Sequence, residues 1–560
     1  MRYMFPLSRQ LVANIDASLF SGLKRKMAYN SSLFNTPITV SPFVLLTLDF
    51  SYSGLSGPFN SIFRLRYLQR LKLAGNNFEM MPIPHDFDRL AYLTHHNRSH
   101  SCFSGEIPSE ISRLTRLLSL DLSGQRDYCP DSYHPLELQR PNFEIFFQKL
   151  SSLLEVYPDD ADIFEQGISF CKALSRSLHN LRILSLSNCD LSGPVCSSFS
   201  ELRFLSHLNL DNNNLHSLPP KLFANSSHLV SLSLANSSLI GSFPDNIFQL
   251  PRLQSLDISE NPLLAGRVPQ FSSNNTWKFL SLHETNSFGR RNLLVGELEE
   301  FHNSSSSPLK ILILEGNNLK GPIPRSIFEL PRLNVLSLAC NNFNGSLKLG
   351  IFLNLKSLKV FDLSGNNLSS QNDKTSSTSL PQLQELHLSY CNITEFPSFL
   401  ETQNSLEFLN LSNNKIHGDI PSWIWKANLS LLDLSYIIVD FPEKPFVGIE
   451  NSSKSIFNGG KNSSFAKLYE LQIRSCDITR FPDQFLKRNQ ENLWNLDLTC
   501  NRISGPIPNS IWGKDLYHLN LSSNLLNSWE IYSLNQSLSI FALDLQTDYL
   551  QGFSPELYAI

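Results

Sequence analysis

Three histidines, His95, His96 and His100, lie close together, and clustered imidazoles are common ligands of transition metals. Their spacing fits neither a two-histidine helix nor a zinc finger, so irregular filling of a structural position is expected there. Acids recur at a fixed offset as Asp257, Asp362, Asp433, Asp497 and Asp544, a regularity that marks repeat chemistry rather than a general acid and base. There is no GxSxG elbow, HExxH helix, P-loop or GxGxxG turn. No catalytic residue, metal ligand or cofactor is assigned, and the chain is not expected to be an enzyme. What remains is recognition chemistry. One column reads Phe279, Ile311, Val335, Val360, Glu385, Phe408 and Leu431, nearly all apolar, and side chains of this kind on neighbouring strands would pack against a peptide or protein. His283, Glu315 and Arg474 stand nearby and would add polar specificity. The competing explanation is that Val and Ile are simply the ordinary filling of the repeat.

These residues are spaced by a ladder of the form LxxLxLxxNxL, as in Leu181, Leu184, Leu186, Cys189 and Leu191, returning every 23 to 25 residues. About twenty copies open at Leu45, Leu68, Leu93, Leu117, Leu153, Leu181, Leu205, Leu229, Leu253, Trp277, Leu309, Leu333, Leu358, Leu383, Leu406, Leu429, Leu468, Leu493, Leu516 and Ile540. Alternation in LxL places two leucines inward on a short strand and one residue outward. One unit cannot bury its apolar side, whereas stacked units share a core in which each leucine contributes roughly 1.5–3 kcal/mol. The Asn or Cys after LxL turns inward to satisfy open backbone groups, making Cys189, Cys391 and Cys476 core residues. The GxIP segments, Gly105 to Pro108, Gly321 to Pro324, Gly418 to Pro421 and Gly505 to Pro508, read as an extended return capped by proline.

Charged residues make up 17% of the chain and the net charge is −4, with no basic stripe for nucleic acid. No run of eighteen apolar residues could span a membrane. The N-terminus has no apolar core long enough for a secretory signal, so either the chain is not secreted or its start is missing. Nine cysteines without a CxxC pair give neither a zinc site nor a dense disulfide framework. Cys102, Cys340 and Cys500 read as small packing residues. Cys129 and Cys171, which flank an interruption, are candidates for a disulfide with each other. About fifteen N-x-[ST] sequons occur, including Asn30, Asn97, Asn225, Asn236, Asn303, Asn392, Asn410, Asn451, Asn462, Asn520 and Asn535.

The period widens to 36 residues after Leu117, 32 after Trp277 and 39 after Leu429, where loops are expected to leave the stack. The resulting division is an irregular segment 1–42, a repeat block 43–439 with insertions near 126–150 and 286–308, a Ser/Asn/Gly-rich loop-out or linker at 440–467, and a duplicated block 468–560. His96 and Arg98 occupy the LxL positions of the third repeat, so that turn is expected to splay. Pro158 at the second LxL position of the fifth repeat is expected to break the sheet. Ile437 replaces an inward asparagine and marks either sequence decay or a hinge. LQELHLSYCNITEFP, from Leu383 to Pro397, recurs as LYELQIRSCDITRFP, from Leu468 to Pro482, each followed downstream by an Ile-Trp pair, Ile424-Trp425 and Ile511-Trp512. At least three repeats were copied together.

LSLSNCDLSGPVCSSFSEL (Leu184 to Leu202), LILEGNNLKGPIPRSIFEL (Leu312 to Leu330) and LSYCNITEFPSFL (Leu388 to Leu400) give the chain a resemblance, from about Phe43 to Pro555, to plant extracellular leucine-rich repeats. It resembles receptor-like proteins of the disease-resistance type. The resemblance implies an α/β-type leucine-rich repeat solenoid, a curved superhelix with a parallel sheet on its concave face. It further implies a glycosylated plasma-membrane ectodomain that binds an extracellular peptide, protein or glycan elicitor there and signals in defence through a partner receptor kinase. The family's signal peptide, paired-cysteine cap, terminal repeats, acidic juxtamembrane segment and membrane helix are not recognised here, so a fragment, truncated product or faulty gene model is expected. The alternative is a soluble extracellular binder or inhibitor of cell-wall-degrading enzymes.

Overall fold

The computed structural model describes residues 45–124, 129, 135–137, 143–163, 167–219, 222–223, 226–268, 276–283, 293–348, 355–371, 381–421, 423–424, 428–441, 468–482, 486, 493–508, 511, 516–529, 540–546 and 548. Segment 1–42, most of 440–467, Trp425, Trp512 and the sequons at Asn30, Asn225, Asn451, Asn462 and Asn535 lie outside them. The chain forms two compact units, Met1–Gly266 and Arg267–Ile560. Among the described residues, each unit is an α/β leucine-rich repeat solenoid built on a parallel sheet, with nine of the twenty short strands in the first and eleven in the second.

Every ladder residue from Leu45 to Ile540 stands two positions before one of these strands, from Thr47–Asp49 to Ala542–Asp544. Within each unit the register is preserved, as in His207↔Ser231↔Ser255 and Ile311↔Val335↔Val360. The middle residue of every strand but the last, where Leu543 is exposed, points into the core, and Leu71, Leu232, Leu312, Leu336 and Leu496 are completely buried. The strands are only three residues long because the chain must then turn.

The inward asparagine makes that turn affordable in hydrogen bonds. Asn213 Nδ2 donates to the carbonyls of Leu186 (2.8 Å), Leu210 (2.8 Å) and Asp211 (3.0 Å). Its Oδ1 accepts from the amides of Cys189 (3.2 Å) and Leu191 (3.0 Å) in the preceding repeat. Cys189, Cys391 and Cys476 occupy the same buried site, and their thiols reach carbonyls in place of the amide, as Cys391 Sγ does with Leu363 O at 3.3 Å. Burial pushes the thiols of Cys391 and Cys476 up to about 12. The two copies in the duplicated block therefore have the same bonding, including a backbone N–H given to Asn414 or Asn501 Oδ1 at 3.0 and 2.9 Å.

The return is extended and then tightens. Asn318–Gly321 pairs with Asn342–Lys348, and Pro324 leads into the 3₁₀ turn Arg325–Glu329, where Ile327 N donates to Pro324 O at 3.2 Å and the Ile327 side chain is fully buried. Gly321 has φ +81°, and a Cβ there would come within 2.9 Å of Glu297 Cγ.

Four expectations are corrected. The third repeat does not splay, because His95–Asn97 pairs on both sides in the common register with His96 and Arg98 buried. His96 is held neutral, its pKa pushed down to about 3 by burial and then by the charge of Arg98, while the Arg98 guanidinium lies 5.4 Å from the centre of the Phe103 ring. Pro158 does not break the sheet; Glu155–Tyr157 keeps both neighbours, with pairing to Ile183–Ser185 shortened to two residues and resumed by Asp160 N to Ser187 O at 2.9 Å. Cys129 bonds to Cys102 and Cys171 to Cys196, so neither the proposed Cys129–Cys171 pair nor Cys102 as a free packing residue stands. Cys340 and Cys500 are exposed, not packed inside, because they occupy the left-handed turn position (φ 52° and 56°) just before the inward asparagine.

The first two widened periods also contribute to the stack. Leu136–Glu137 pairs with Gly105–Glu106, and helix Phe143–Lys149 buries Phe146 and Phe147, the latter edge-on to Phe170 of helix Gly167–Ser177. Leu293–Glu297 likewise pairs with the return of the next repeat and Phe301 is buried. Ile437 is core, and the strand before it pairs directly with Glu470–Gln472.

Candidate functional site

In the second unit the first residue of each strand faces away from the core. Consecutive register places Phe279, Ile311, Val335, Val360, Glu385, Phe408 and Leu431 side by side, all half-buried. At about 4.8 Å between strands, this column is a continuous apolar strip interrupted by one carboxylate. The Glu385 carboxylate is 3.7 Å from His387 Nε2.

The three flanking polar residues are already engaged. His283 Nδ1 is 2.7 Å from Ser281 Oγ, Glu315 accepts from Ser337 Oγ at 3.1 Å, and Arg474 pairs with Asp497 at 3.0 Å. A ligand calling on Arg474 would have to compete with that ion pair. The recurrent aspartates close local turns: Asp257, Asp362, Asp433, Asp497 and Asp544 each accept the backbone N–H two residues ahead at 2.8 to 3.0 Å. The histidines are not gathered on one ion. His95 meets Thr94 Oγ1 at 2.9 Å on the outer side, His96 points into the core, and His100 Nδ1 lies 2.8 Å from Gly124 O.

The sequons fall into two groups. Asn236, Asn303 and Asn392 are exposed at left-handed turn positions. Asn97, Asn410 and Asn520 end sheet strands and accept from the sequon serine, as Asn410 Oδ1 does from Ser412 N and Oγ at 2.9 and 2.7 Å. Asn97 Nδ2 also donates to Asp121 at 2.7 Å.

Two features escaped the reading of the sequence, although both follow from the same alignment moved by one position. Residues directly after the ladder positions form the edge of the sheet. In the second unit that edge begins Lys278, Lys310, Asn334, Lys359 and ends Tyr469, Trp494, Tyr517, Phe541. The last four rings stack in series, with centroids 5.8, 4.6 and 4.6 Å apart. In the first unit several acids lie near one another beside the sheet: burial raises Asp159 and lifts Asp211 to about 6, and burial with the charges of Glu155, Asp121 and Asp159 pushes Tyr157 up to about 12.

Leucine rich repeat models match residues 203–263 and 331–393, a two-copy form matches 381–425, and a single-repeat form matches 180–202 and 492–513. Receptor-like protein 6 of Arabidopsis thaliana is 30% identical over 585 residues, covering 91% of this chain and 56% of that protein. Receptor-like protein 39 of the same plant is 31% identical over 437 residues, covering 74% of this chain and 44% of that protein. The chain thus spans about half the length of the curated relatives it matches. A similar solved structure is the Arabidopsis receptor kinase HAESA in complex with the peptide hormone IDA and the co-receptor SERK1, with TM-score 0.57 and 25% identity over 86% of this chain and 78% of that one. Among the described residues, no helix is long and apolar enough to cross a membrane.

Proposed function

Because this chain belongs to the plant leucine-rich repeat receptor-like proteins, we propose that the exposed sheet face of its second unit recognises an extracellular peptide. The single observation that carries this reading is the column from Phe279 to Leu431, whose side chains, apolar except at Glu385, stand half-exposed in register across consecutive strands. A rigid hydrogen-bonded sheet presents them without an ordering cost at the moment of binding. The similar receptor kinase solved with a peptide hormone and co-receptor favours a peptide over a glycan and favours a co-receptor as partner; signalling through a partner receptor kinase at the plasma membrane accords with the resemblance. A role in defence accords with the resemblance. Asn236, Asn303 and Asn392, exposed on turns, are the sequons best placed to carry glycans.

The test replaces Phe279, Ile311 and Val335 together with Ser in the full chain. The peptide fraction of plant extracellular fluid is passed over immobilised wild-type and variant protein, and retained peptides are identified by mass spectrometry. Loss of retained peptides with an unchanged circular dichroism spectrum is the expected result. Equal retention by the two proteins overturns the assignment of the face.

A further inference from the structure

The edge of the sheet beside the apolar column carries a row of cations. Lys310 N donates to Lys278 O at 2.9 Å, Asn334 N to Lys310 O at 2.7 Å, and Lys359 N to Asn334 O at 2.8 Å, so these residues follow one another across four adjacent strands. Arg332 and Lys356 lie on the turns leading into the last two. All five basic side chains are exposed, and among the described residues none is in an ion pair. Some exposed cations elsewhere among the described residues are paired, Lys72 with Asp49, Arg113 with Asp88 and Arg502 with Asp477, while others such as Arg203 and Arg252 are not; the row is set apart by its placement on adjacent strands. Like charges at neighbouring strand positions repel one another, so the row contributes nothing favourable to the fold that would explain it. The sign reverses further along the same edge, at Glu407.

We infer that this edge, with the neighbouring column, selects an acidic, extended peptide. The inference rests on the sheet-face reading above and names the ligand class. Three steps between strands span about 14 Å from Lys278 to Lys359. An extended chain rises about 3.4 Å per residue, so carboxylates four residues apart match the two ends of the row. Residues on the same side of such a peptide as its apolar groups would pack against Phe279, Ile311, Val335 and Val360. That apolar contact is what distinguishes a peptide from an acidic polysaccharide, which would meet the lysines and leave the column bare. Glu407 sets the direction, because the end of the ligand that lies toward it must lack negative charge.

The experiment uses the full chain and three probes: a synthetic fluorescent decapeptide alternating Glu and Leu, the same peptide with every Glu changed to Gln, and an oligogalacturonate. Binding is measured by anisotropy at low and at physiological salt. Wild-type protein is expected to bind the Glu peptide at least tenfold more tightly than the Gln peptide, with the preference falling as salt rises. Lys278→Gln/Lys310→Gln/Lys359→Gln is expected to abolish the preference with an unchanged thermal midpoint. Equal binding of the Glu and Gln peptides, or a preference retained by the lysine variant, overturns the inference. Oligogalacturonate that binds as tightly as the Glu peptide and competes with it also overturns it, in favour of an acidic sugar. The Phe279, Ile311 and Val335 serine variant separates the two readings: loss of both peptides supports the sheet face, and intact binding refutes that face while leaving the charge preference as the measure of the edge.

Discussion

Replacing His96 with leucine asks whether the third repeat is closed around a neutral imidazole. His96 lies between Leu71 and Leu120 in the ladder, is 1% exposed, and has its ring 4.7 Å from that of Phe87. Neither ring nitrogen has a hydrogen-bond partner among the described residues. Burial, followed by the Arg98 charge, lowers its pKa from 6.5 to about 3. The unfolded chain therefore takes up a proton below pH 6.5 that the folded chain refuses until pH about 3. Above pH 6.5 the residue contributes no pH dependence, and stability is lost as pH falls across that window, by up to about 1.4 kcal/mol per unit. At pH 5 the loss amounts to about 2 kcal/mol. Leucine at this position is expected to stabilise the protein at every pH, with an advantage that widens by about 2 kcal/mol between pH 7.5 and 5. A repeat stack need not unfold in one step, so the measurement is local: hydrogen exchange of the amides of Leu73, bonded to Asn97 O at 2.8 Å, and Leu122, bonded to Tyr157 O at 2.8 Å. Parallel pH profiles for wild type and His96→Leu would refute the reasoning, because a splayed turn would leave the histidine hydrated with its ordinary pKa.

Peptide mapping without reduction should recover Cys102 linked to Cys129 and Cys171 linked to Cys196; a Cys129–Cys171 peptide would contradict the structure. Replacing Cys171 and Cys196 with serine removes a constraint on a 25-residue separation and should cost about 3 kcal/mol, read as a lower denaturant midpoint. Asn341→Ala removes donors to the carbonyls of Leu314, Leu338 and Ala339 and the acceptor of Leu319 N–H. It should cost about 3 kcal/mol and speed exchange of the Leu319 amide, whereas unchanged protection there would show that the side chain does not close the turn. Trp494→Ala interrupts the stack between Tyr469 and Tyr517 and should lower stability by about 1–2 kcal/mol; an unchanged thermal midpoint would mean the rings do not hold one another.

The ladder was legible because stacking leaves little freedom: a residue that must be buried at a fixed offset appears at that offset, and all the openings from Leu45 to Ile540 precede strands. The inward Asn and Cys positions were legible for the same reason. The disulfides were misread although the signal was present, since the true partners are 27 and 25 residues apart, about one repeat, and so face each other across adjacent turns. Length alone does not tell a loop from a longer return, which is why helix Phe143–Lys149 and its buried phenylalanines fall where the period predicts an excursion. Cost arguments failed in the third repeat because they counted Arg98 as an unpaired buried charge, whereas its guanidinium lies 5.4 Å from the centre of the Phe103 ring and the neighbouring His96 is neutral. They failed at Pro158 because one missing donor shortens a ladder without ending it. In the candidate site the column was legible from register. The cationic and aromatic edges were not, because the reading stopped at residues inside the strands.

Where an asparagine closes the turn, it belongs to the following repeat: Asn213 serves the amides of Cys189 and Leu191, and Asn261 those of Ser237 and Leu239. The stack therefore has a grain. Parting two repeats leaves unlike surfaces, open N–H groups on the earlier side and an unused side-chain Oδ1 on the later one, whose Nδ2 still holds its own repeat's carbonyls. Damage to an asparagine is felt upstream, in the repeat that came before it, and the duplicated block, which opens with Cys391 or Cys476 at that site, brings no such acceptor to the repeat it lands behind.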